Sequence, residues 1–384
     1  MQILVVDHDA GPPHQRGLYH ALAQSGKAAV TLLVPHRWHD GFAETVTEAE
    51  ASLDFCVIPT RTLFAGRAHR FVTPALWSIL RRRHFDVLCL NVEPESFQAF
   101  YAIIGQKLLS PSTRFALISF RNIDFPRGVY PYRAPFLHAL SERIVVSGLE
   151  AIVARNETAK TIFERKGLRH ARVIPQCIDT GVFFPSIREE SERLSQKLQF
   201  TIGYVGRLVP GKGVDLLLQA SACLSFDHTV LIIGAGPEEH HLQMLAAQLG
   251  VSERICWNGP VPNALLPGKL RALDVLVLPS RTTPFWKEQF GRVLIEAMAC
   301  GVPVVGSDSG EIPSTIGSAG LTFPEGNISA LAAVLQRIHD DQHLVSDLSA
   351  RSRRRAEACF SVESVAEQYL SFFNSVCASK PLNL

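Results

Sequence analysis

Short apolar runs alternate with amphipathic stretches through the first half of the chain. The runs are rich in Val, Ile, Leu and Phe, and they are Ile3–Val6, Val30–Val34, Val87–Leu90, Phe115–Phe120 and Ala151–Ala154. Such runs are typical of strands buried on both faces of a parallel sheet. Helical periodicity lies between them, as in Gly17–Gln24 and in Thr158–Lys166, which Gly167 ends. Repeated strand–helix units predict an open, doubly wound parallel sheet.

A segment without this alternation separates the two halves of the chain. Pro175–Pro185 is bounded by prolines, and the polar stretch Ser186–Lys197 has no apolar period, so 179–199 is predicted to be a linker. The alternation then restarts. Strands are predicted at Phe200–Val205, Thr229–Ile233, Ile255–Trp257, Asp274–Leu278 and Val302–Val305, and helices at Gly213–Cys223, Pro237–Leu249 and Gly291–Cys300.

The pattern therefore predicts an α/β protein with two doubly wound domains, residues 1–178 and 200–360. In such sheets ligands bind beyond the carboxyl ends of the strands, so two facing domains are expected to share a ligand-binding cleft. One more helical pattern, Val362–Ala378, lies in the final segment 361–384.

Composition narrows the class of protein. The 384 residues include 38 basic and 36 acidic side chains, a formal net charge of +2, and 47% of them are hydrophobic. This balance excludes wholesale disorder and a dedicated nucleic-acid binder. No stretch reaches the ~18 uncharged apolar residues of a membrane span, and the first residues do not resemble a signal peptide. Eight cysteines without a CxxC pair indicate buried thiols rather than disulfides or zinc ligands, which predicts a cytoplasmic location.

Two carboxylates flank the start of the helix predicted at Gly291–Cys300. Glu288 precedes that helix and Glu296 lies inside it. The exposed amides and the dipole of a helix start favour an anion such as a phosphate, and Gly291 allows a ligand to approach the backbone. Glu296 is placed to accept hydrogen bonds from vicinal ribose hydroxyls. The alternative is an ordinary amphipathic helix with solvated acids.

A glycine-rich loop with two cations follows the strand at Phe200–Val205. Gly203–Gly213 contains four glycines together with Arg207 and Lys212, a composition suited to a diphosphate. The spacing of a Walker A loop is absent. A second glycine-rich segment, Gly234–Glu238, is followed by Glu239 where a dinucleotide-binding fingerprint needs its third glycine. The segment is therefore weak evidence for dinucleotide binding.

Taken together, Gly206–Gly213, Gly234–Glu238 and the block from Glu288 to Val305 resemble the retaining glycosyltransferases of family 4, in the glycogen-synthase-like superfamily. Ser309–Pro313 and Gly320–Pro324 extend the resemblance, which is close over about residues 170–360 and loose before them. It implies the GT-B fold, with two facing Rossmann-like domains and a final helix that crosses back to the first domain.

The resemblance also implies roles for individual residues. Arg207 and Lys212 are expected to hold the diphosphate of a nucleotide-sugar donor, Glu296 its ribose, and Glu288 the transferred sugar. The other expected donor contacts are the backbone amides of Phe290 and Gly291 and, beside the nucleobase, the loop at Val261. The family generally needs no metal or other cofactor, since cations and a helix terminus stabilise the leaving diphosphate.

The first domain departs from the family pattern. Where many members carry a His near the anomeric carbon, this chain has Asn122, which can donate a hydrogen bond to the sugar but cannot act as a base. The alternative for Asn122 is a turn residue that shapes its loop. Gly11 is a further candidate donor contact. The candidates for the acceptor site are Glu93, His14 and Arg16.

An arginine-rich stretch without acids lies between Phe55 and Phe85. Its six arginines and interleaved apolar residues, within 61–83, fit an anionic membrane or a lipid-linked acceptor. The alternative is a solvated helix face whose apolar side lies in the core.

The predicted activity is transfer of a sugar, with retention of configuration, from a UDP- or GDP-sugar to a hydroxyl in polysaccharide, glycolipid or glycosylated-metabolite biosynthesis. Two alternatives stay open. One is a nucleotide-sugar epimerase or hydrolase of the same fold, and the other is a non-catalytic nucleotide-sugar-binding protein.

Overall fold

The computed structural model describes residues 1–39, 44–125, 134–168, 170–185 and 199–378. The chain divides into two units. Unit 1 is Met1–Cys177 together with the chain from Val362 onward, and unit 2 is Ile178–Ser361. Each unit contains one large sheet, and the predicted α/β class is confirmed. Most of the segment predicted as a linker, 186–198, lies outside the described residues.

Unit 1 is built on an eight-stranded sheet. Its strands are β1 (Gln2–Asp7), β2 (Ala29–Pro35), β5 (Glu50–Ala51), β6 (Phe55–Thr60), β7 (Val87–Asn91), β8 (Arg114–Ser119), β9 (Ala151–Ala154) and β10 (Ala171–Val173). Two further strands, β3 (Arg37–His39) and β4 (Glu44–Val46), pair with each other in an antiparallel ribbon. The sheet order is β10-β9-β8-β7-β1-β2-β6-β5, and every pairing is parallel except β5 with β6.

Five helices lie in the described part of unit 1 before the chain enters unit 2. They are α1 (Gly17–Gln24), α2 (Ala75–Arg82), α3 (Phe97–Leu109), α4 (Pro135–Gly148) and α5 (Glu157–Arg165). The side chains of Ser96 and Asn156 cap α3 and α5, accepting hydrogen bonds from the amides of Ala99 and Ala159. These caps satisfy amides that a helix start leaves unpaired.

Unit 2 has a six-stranded, fully parallel sheet in the order β13-β12-β11-β14-β15-β16. The strands are β11 (Phe200–Val205), β12 (His228–Ile233), β13 (Ile255–Trp257), β14 (Val275–Leu278), β15 (Val304–Ser307) and β16 (Leu321–Phe323). The helices are α6 (Val214–Cys223), α7 (Glu239–Gln248), α8 (Leu266–Arg271), α9 (Arg292–Ala299), α10 (Ile312–Ile316), α11 (Ile328–Asp340) and α12 (Gln342–Arg355). This is the Rossmann strand order, whose direction reverses between β11 and β14.

The chain returns to unit 1 in helix α13 (Val362–Ala378). This helix buries seven side chains, including Tyr369 and Phe373, in a hydrophobic core that also contains Ile3 and Tyr19. At roughly 1.5–3 kcal/mol for each large apolar side chain, α13 is a major contributor to the stability of unit 1.

No helix among the described residues combines the length and apolar character needed to cross a membrane. The eight cysteines form no disulfide. Their predicted burial holds for Cys89 and Cys300 but is wrong for Cys223 and Cys256, which are exposed. Cys223 is the last residue of α6, and Cys256 points outward from the edge strand β13.

Candidate functional site

Five loops meet at the carboxyl edge of the unit 2 sheet. They follow β11, β12, β13, β14 and β15, and they cover residues 206–213, 234–238, 258–265, 279–291 and 308–311. Neighbouring parallel strands end at the same edge, and the strand order reverses at β11, so this edge is where a ligand is expected. Most of the residues assigned to the donor from the sequence lie on these loops.

Backbone hydrogen bonds hold the first three loops together. The amide of Leu208 donates to the carbonyl of Ala235 at 2.9 Å, and the amide of Glu238 donates to the carbonyl of Leu208 at 3.1 Å. The amide of Gly234 donates to the carbonyl of Gly259 at 2.9 Å. The loop containing Arg207 is thereby linked, through the β12 loop, to the loop that leads to Val261.

Lys212 and Glu288 form the central ion pair of this edge. Lys212 Nζ lies 2.6 Å from Glu288 Oε2, and the Ser280 hydroxyl donates to the same oxygen at 2.8 Å. Glu288 is 6% exposed and Lys212 is partly buried. The Lys212 ammonium also lies 5.2 Å from the centre of the Trp286 ring. A lysine held in this way is pre-positioned for an anionic ligand.

Gly213 lets the β11 loop pass close to the β14 loop. Its φ of 66° lies in the left-handed region, and a Cβ there would be 2.0 Å from the carbonyl oxygen of Pro279. Any side chain would therefore separate the strand ends that bring Lys212 to Glu288. The close approach of the two loops therefore requires a glycine at this position, which the sequence alone did not reveal.

A second ion pair joins the same two loops. Arg281 pairs with Asp215 in the first turn of α6, and the Arg281 amide donates to the carbonyl of Gly211 at 2.7 Å. Neither charged residue was among the sequence-based candidates. These contacts hold the β11 loop, which carries Lys212, against the β14 loop.

Glu296 lies on the second turn of α9, with its side chain beside Arg292. Glu296 Oε1 is 3.1 Å from Arg292 Nε, and the residue is 8% exposed. Burial raises the pKa of the Glu296 carboxyl to about 6, an effect that the Arg292 guanidinium opposes. A buried carboxylate whose ionised form is destabilised is unusual in a purely structural helix and is common in binding sites.

Glu296→Gln is expected to raise the free energy of unfolding by about 2 kcal/mol at pH 8, since a pKa raised from 4.5 to about 6 corresponds to that penalty. The folded state binds the proton more tightly than the unfolded chain. The ionised Glu296 therefore destabilises the folded state fully above pH ~6 and not at all below pH ~4.5. The stability that Glu296→Gln gains at pH 8 should accordingly vanish at pH 4. Urea unfolding at both pH values measures it, with the exposed Glu253→Gln as control. An equal gain at both pH values would contradict this.

Helix α9 begins after a glycine. Gly291, the residue before the helix, has a φ of 79° and no side chain of its own with which to cap the helix. The Phe290 side chain packs on Phe360, with ring centres 5.8 Å apart, and its carbonyl accepts from the Thr315 hydroxyl at 2.7 Å. These contacts fix the position of Phe290, whose predicted amide contact with a donor stays a prediction.

The loop after β15 supports Glu288 from its backbone. The amide of Glu311 donates to the carbonyl of Glu288 at 3.1 Å, and a Cβ at Gly310 would lie 2.1 Å from the same oxygen.

Arg207, which is predicted to bind the nucleotide-sugar donor, has an exposed side chain. Its carbonyl accepts a hydrogen bond from the buried Tyr204 hydroxyl at 2.8 Å. In unit 2 the structure thus gathers Arg207, Lys212 and Glu288 at one edge, together with the start of α9.

In unit 1, the candidates near the first strand have different surroundings. His14 is exposed, whereas Arg16 is 3% exposed. The Arg16 guanidinium donates to the carbonyls of Ala10 and Gly11, at 3.1 and 2.6 Å, and to Glu50 at 2.8 Å. Arg16 therefore stabilises the loop after β1. Its predicted contact with an acceptor, like that of His14 and the donor contact of Gly11, stays a prediction.

Asp7, His8 and Asp9 form a compact acidic group at the end of β1, with potential ligand atoms within 4.8 Å of one another. Both oxygens of the Asp7 carboxylate already accept hydrogen bonds, from Tyr19 at 2.6 Å and from Asn91 at 3.0 Å. These bonds explain the burial of the carboxylate without an ion.

The remaining candidates of unit 1 lie at the ends of β7 and β8. Glu93 follows β7 and Asn122 follows β8, and Asn122 is 6% exposed. Both oxygens of Glu93 accept hydrogen bonds from the end of β8. Glu95, from the same sequence stretch as Glu93, forms a buried pair with Arg121 beside them.

The chain is similar to known proteins in both sequence and fold. Residues 186–355 match the family model described as Glycosyl transferases group 1. The chain is similar to a D-inositol 3-phosphate glycosyltransferase of Thermomonospora curvata, with 30% identity over 58% of this chain and 56% of that protein. It is also similar to a GDP-mannose-dependent monoacylated alpha-(1-6)-phosphatidylinositol monomannoside mannosyltransferase of Corynebacterium glutamicum, with 32% identity over 53% and 55%.

The chain spans about half the length of the curated relatives it matches. Among solved structures it is similar to Anabaena HepE in complex with UDP, with a TM-score of 0.73 and 18% identity over 98% of this chain and 100% of that one. This likeness shows the fold, and the fold is GT-B.

Proposed function

We propose that this chain, whose residues 186–355 match the family model described as Glycosyl transferases group 1, transfers a sugar from a nucleotide-diphosphate sugar to a hydroxyl acceptor. The observation that supports this most is the Lys212–Glu288 pair, 2.6 Å apart, on loops at the carboxyl edge of a Rossmann-ordered sheet. A cation and the amides of a helix start are suited to the diphosphate of such a donor, and a carboxylate at the same edge is suited to its sugar hydroxyls.

The donor is expected to replace part of the present ion pairing. Lys212 and Arg207 bind the diphosphate, so that Lys212 then lies between two anions, the donor and Glu288. Glu288 accepts a hydrogen bond from a hydroxyl of the sugar, and Glu296 accepts from the ribose. The amides of Phe290 and Gly291 donate to sugar and phosphate oxygens. No metal is needed in this scheme, since the leaving diphosphate is stabilised by cations and helix amides.

The proposed chemistry retains the configuration at the anomeric carbon. The bond from that carbon to the diphosphate oxygen breaks as the acceptor oxygen forms its bond on the same face. The acceptor's proton passes to the departing phosphate oxygen. Asn122 cannot take that proton, so its role is to donate a hydrogen bond to the sugar.

The donor base is proposed to be uracil or guanine. UDP is bound in the similar Anabaena structure, and the Corynebacterium relative is named for GDP-mannose.

We expect a UDP- or GDP-sugar to raise the melting temperature, because a ligand at ~100 times its Kd stabilises the native state by about 2.7 kcal/mol. A screen of UDP-, GDP- and ADP-sugars, with Lys212→Ala as the control that loses the shift, measures this.

NMR of the products, with and without acceptors, then decides the activity. Transfer to an acceptor supports the proposal. Isomerised or hydrolysed donor in the absence of any acceptor indicates the epimerase or hydrolase alternative. Tight donor binding without turnover across the acceptor panel indicates a non-catalytic binding protein, and both results would overturn the proposed transfer.

A lipid-linked acceptor and contact with an anionic membrane are part of this proposal. Helix α2 buries Leu76 and Leu80, so the arginine-rich stretch keeps its helical apolar side in the core. The turn before it exposes Leu63 and Phe64, at 54% and 61%, between the exposed Arg61 and Arg67. Apolar side chains among arginines fit an anionic lipid surface. The acceptor panel therefore includes lipid acceptors in vesicles with and without anionic lipid.

A further inference from the structure

The segment Ser119–Asn122 ends β8 at the carboxyl edge of the unit 1 sheet. Strand β8 pairs with β7, and β7 pairs with β1, where the strand order of this sheet reverses. Ligands of open α/β sheets bind in the crevice at such a reversal. Whatever holds this segment therefore shapes the ligand-binding edge of unit 1.

Glu93 binds the segment with both carboxylate oxygens. Its Oε2 accepts from the Ser119 hydroxyl at 2.5 Å, and its Oε1 accepts from the Phe120 amide at 2.8 Å. Glu93 reaches β8 because it follows the neighbouring strand β7. A carboxylate that accepts two hydrogen bonds from consecutive residues fixes both their position and their orientation.

Arg121 is fixed from the other side. Its guanidinium donates to Glu95 Oε2 at 2.6 Å and also to Glu142 on α4. Glu142 in turn accepts from Lys166 Nζ at 2.6 Å, and the Arg121 amide donates to the Ser119 hydroxyl at 3.1 Å. Arg121 is 5% exposed, so these contacts are made away from solvent. Three consecutive residues before Asn122 are thus held by carboxylates, of which Glu95 is 2% exposed and Glu93 and Glu142 are partly buried.

We propose that Glu93 is a positioning residue, which holds Ser119–Asn122 in the conformation that presents Asn122 at the ligand-binding edge. This rests on the proposed function and deepens it. Glu93 acts through the segment, and its two oxygens are engaged within the protein rather than with an acceptor.

The unfavourable desolvation of Glu93 and Glu95 supports a functional role for these carboxylates. Burial raises the pKa of Glu93, and it raises the pKa of Glu95 to about 7 although the Arg121 guanidinium opposes the shift. A loop that needed only stability would avoid two neighbouring carboxylates that are desolvated in this way, since desolvation of the charged form is unfavourable. Costly polar arrangements of this kind are concentrated at functional sites.

The test compares Glu93→Gln with Glu150→Gln at pH 8. Glu150 is a matched control because it pairs with Arg114 at 2.7 Å, at the opposite end of the same strand β8. Ser119→Ala is a second variant, which leaves Glu93 in place and removes the two hydrogen bonds of the Ser119 hydroxyl, to Glu93 and from the Arg121 amide. Two quantities are measured on the full chain: amide hydrogen exchange of a peptide covering 119–125, and kcat with the donor KM for the transfer identified by the acceptor panel.

We expect both test variants to exchange this peptide about tenfold faster than the control, with the rest of the chain unchanged. We also expect kcat to fall about fivefold while the donor KM stays within about twofold. Unchanged exchange in Glu93→Gln and Ser119→Ala would overturn the proposal, and so would a rise in KM with kcat unchanged. The exchange needs no activity, so it decides the role of Glu93 even if the protein proves not to be a transferase.

Discussion

Lys212→Ala is expected to lower kcat/KM at least about tenfold, a loss of roughly 1.4 kcal/mol of transition-state stabilisation. The ammonium group lies 2.6 Å from Glu288 and is the most deeply placed cation of the β11 loop. Its removal takes away a positive charge beside the position proposed for the leaving diphosphate, on which negative charge develops during transfer. It also leaves the buried Glu288 carboxylate with only the Ser280 hydroxyl among the partners described above.

Steady-state kinetics with the identified donor measures this effect. Arg337→Ala is the control, since it removes an equal charge from an exposed position on α11. We expect Glu296→Ala to show a loss of at least the same size, because it removes the acceptor proposed for the ribose. Unchanged turnover in both Lys212→Ala and Glu296→Ala, with both variants folded, would falsify the assignment of the site.

Gly213→Ala is expected to lower the free energy of unfolding by about 3 kcal/mol or more. The new Cβ would lie 2.0 Å from the carbonyl oxygen of Pro279, a backbone atom that cannot rotate away. The φ of 66° adds the strain of a left-handed alanine, worth about 1 kcal/mol. The two strand ends would have to move apart, so donor binding is expected to be lost as well.

Gly250→Ala separates these two causes. Gly250 has nearly the same φ, 70°, and a Cβ there would meet nothing within 4 Å. It is therefore expected to show only the conformational strain, about 1 kcal/mol. Denaturant unfolding of the two variants gives the difference, which is the cost of the close approach. Equal losses in both would show that the approach of the β11 and β14 loops can relax.

The sequence predicted the elements that the parallel sheets depend on. The strands found in the pattern, such as β9 and β14, are continuous apolar runs because both of their faces are covered. Each predicted strand and helix lies within about two residues of its observed bounds. Helix α3 escaped prediction because its sequence, FQAFYAIIGQKLL, is apolar almost all round and has no clear period.

The candidate site was predictable where chemistry and spacing are local, as they are for Lys212 in its glycine-rich loop. The partner of each residue was not. Glu93 was a candidate acceptor contact, and its contacts with Ser119 and Phe120 depend on β7 and β8 being neighbours, which composition does not encode. The pairing of Arg281 with Asp215, 66 residues apart in the chain, was hidden for the same reason.

The return of the chain to unit 1 after unit 2 has a consequence for biosynthesis. Domains generally fold as units while the chain leaves the ribosome, the earlier one first. Here the order is reversed, because the core around Ile3 and Tyr19 is completed by α13, which is made after all of unit 2. Unit 2 can complete its sheet while the first-made strands still lack their closing helix. Until α13 emerges, the nascent unit 1 exposes apolar surface of the kind that chaperones bind.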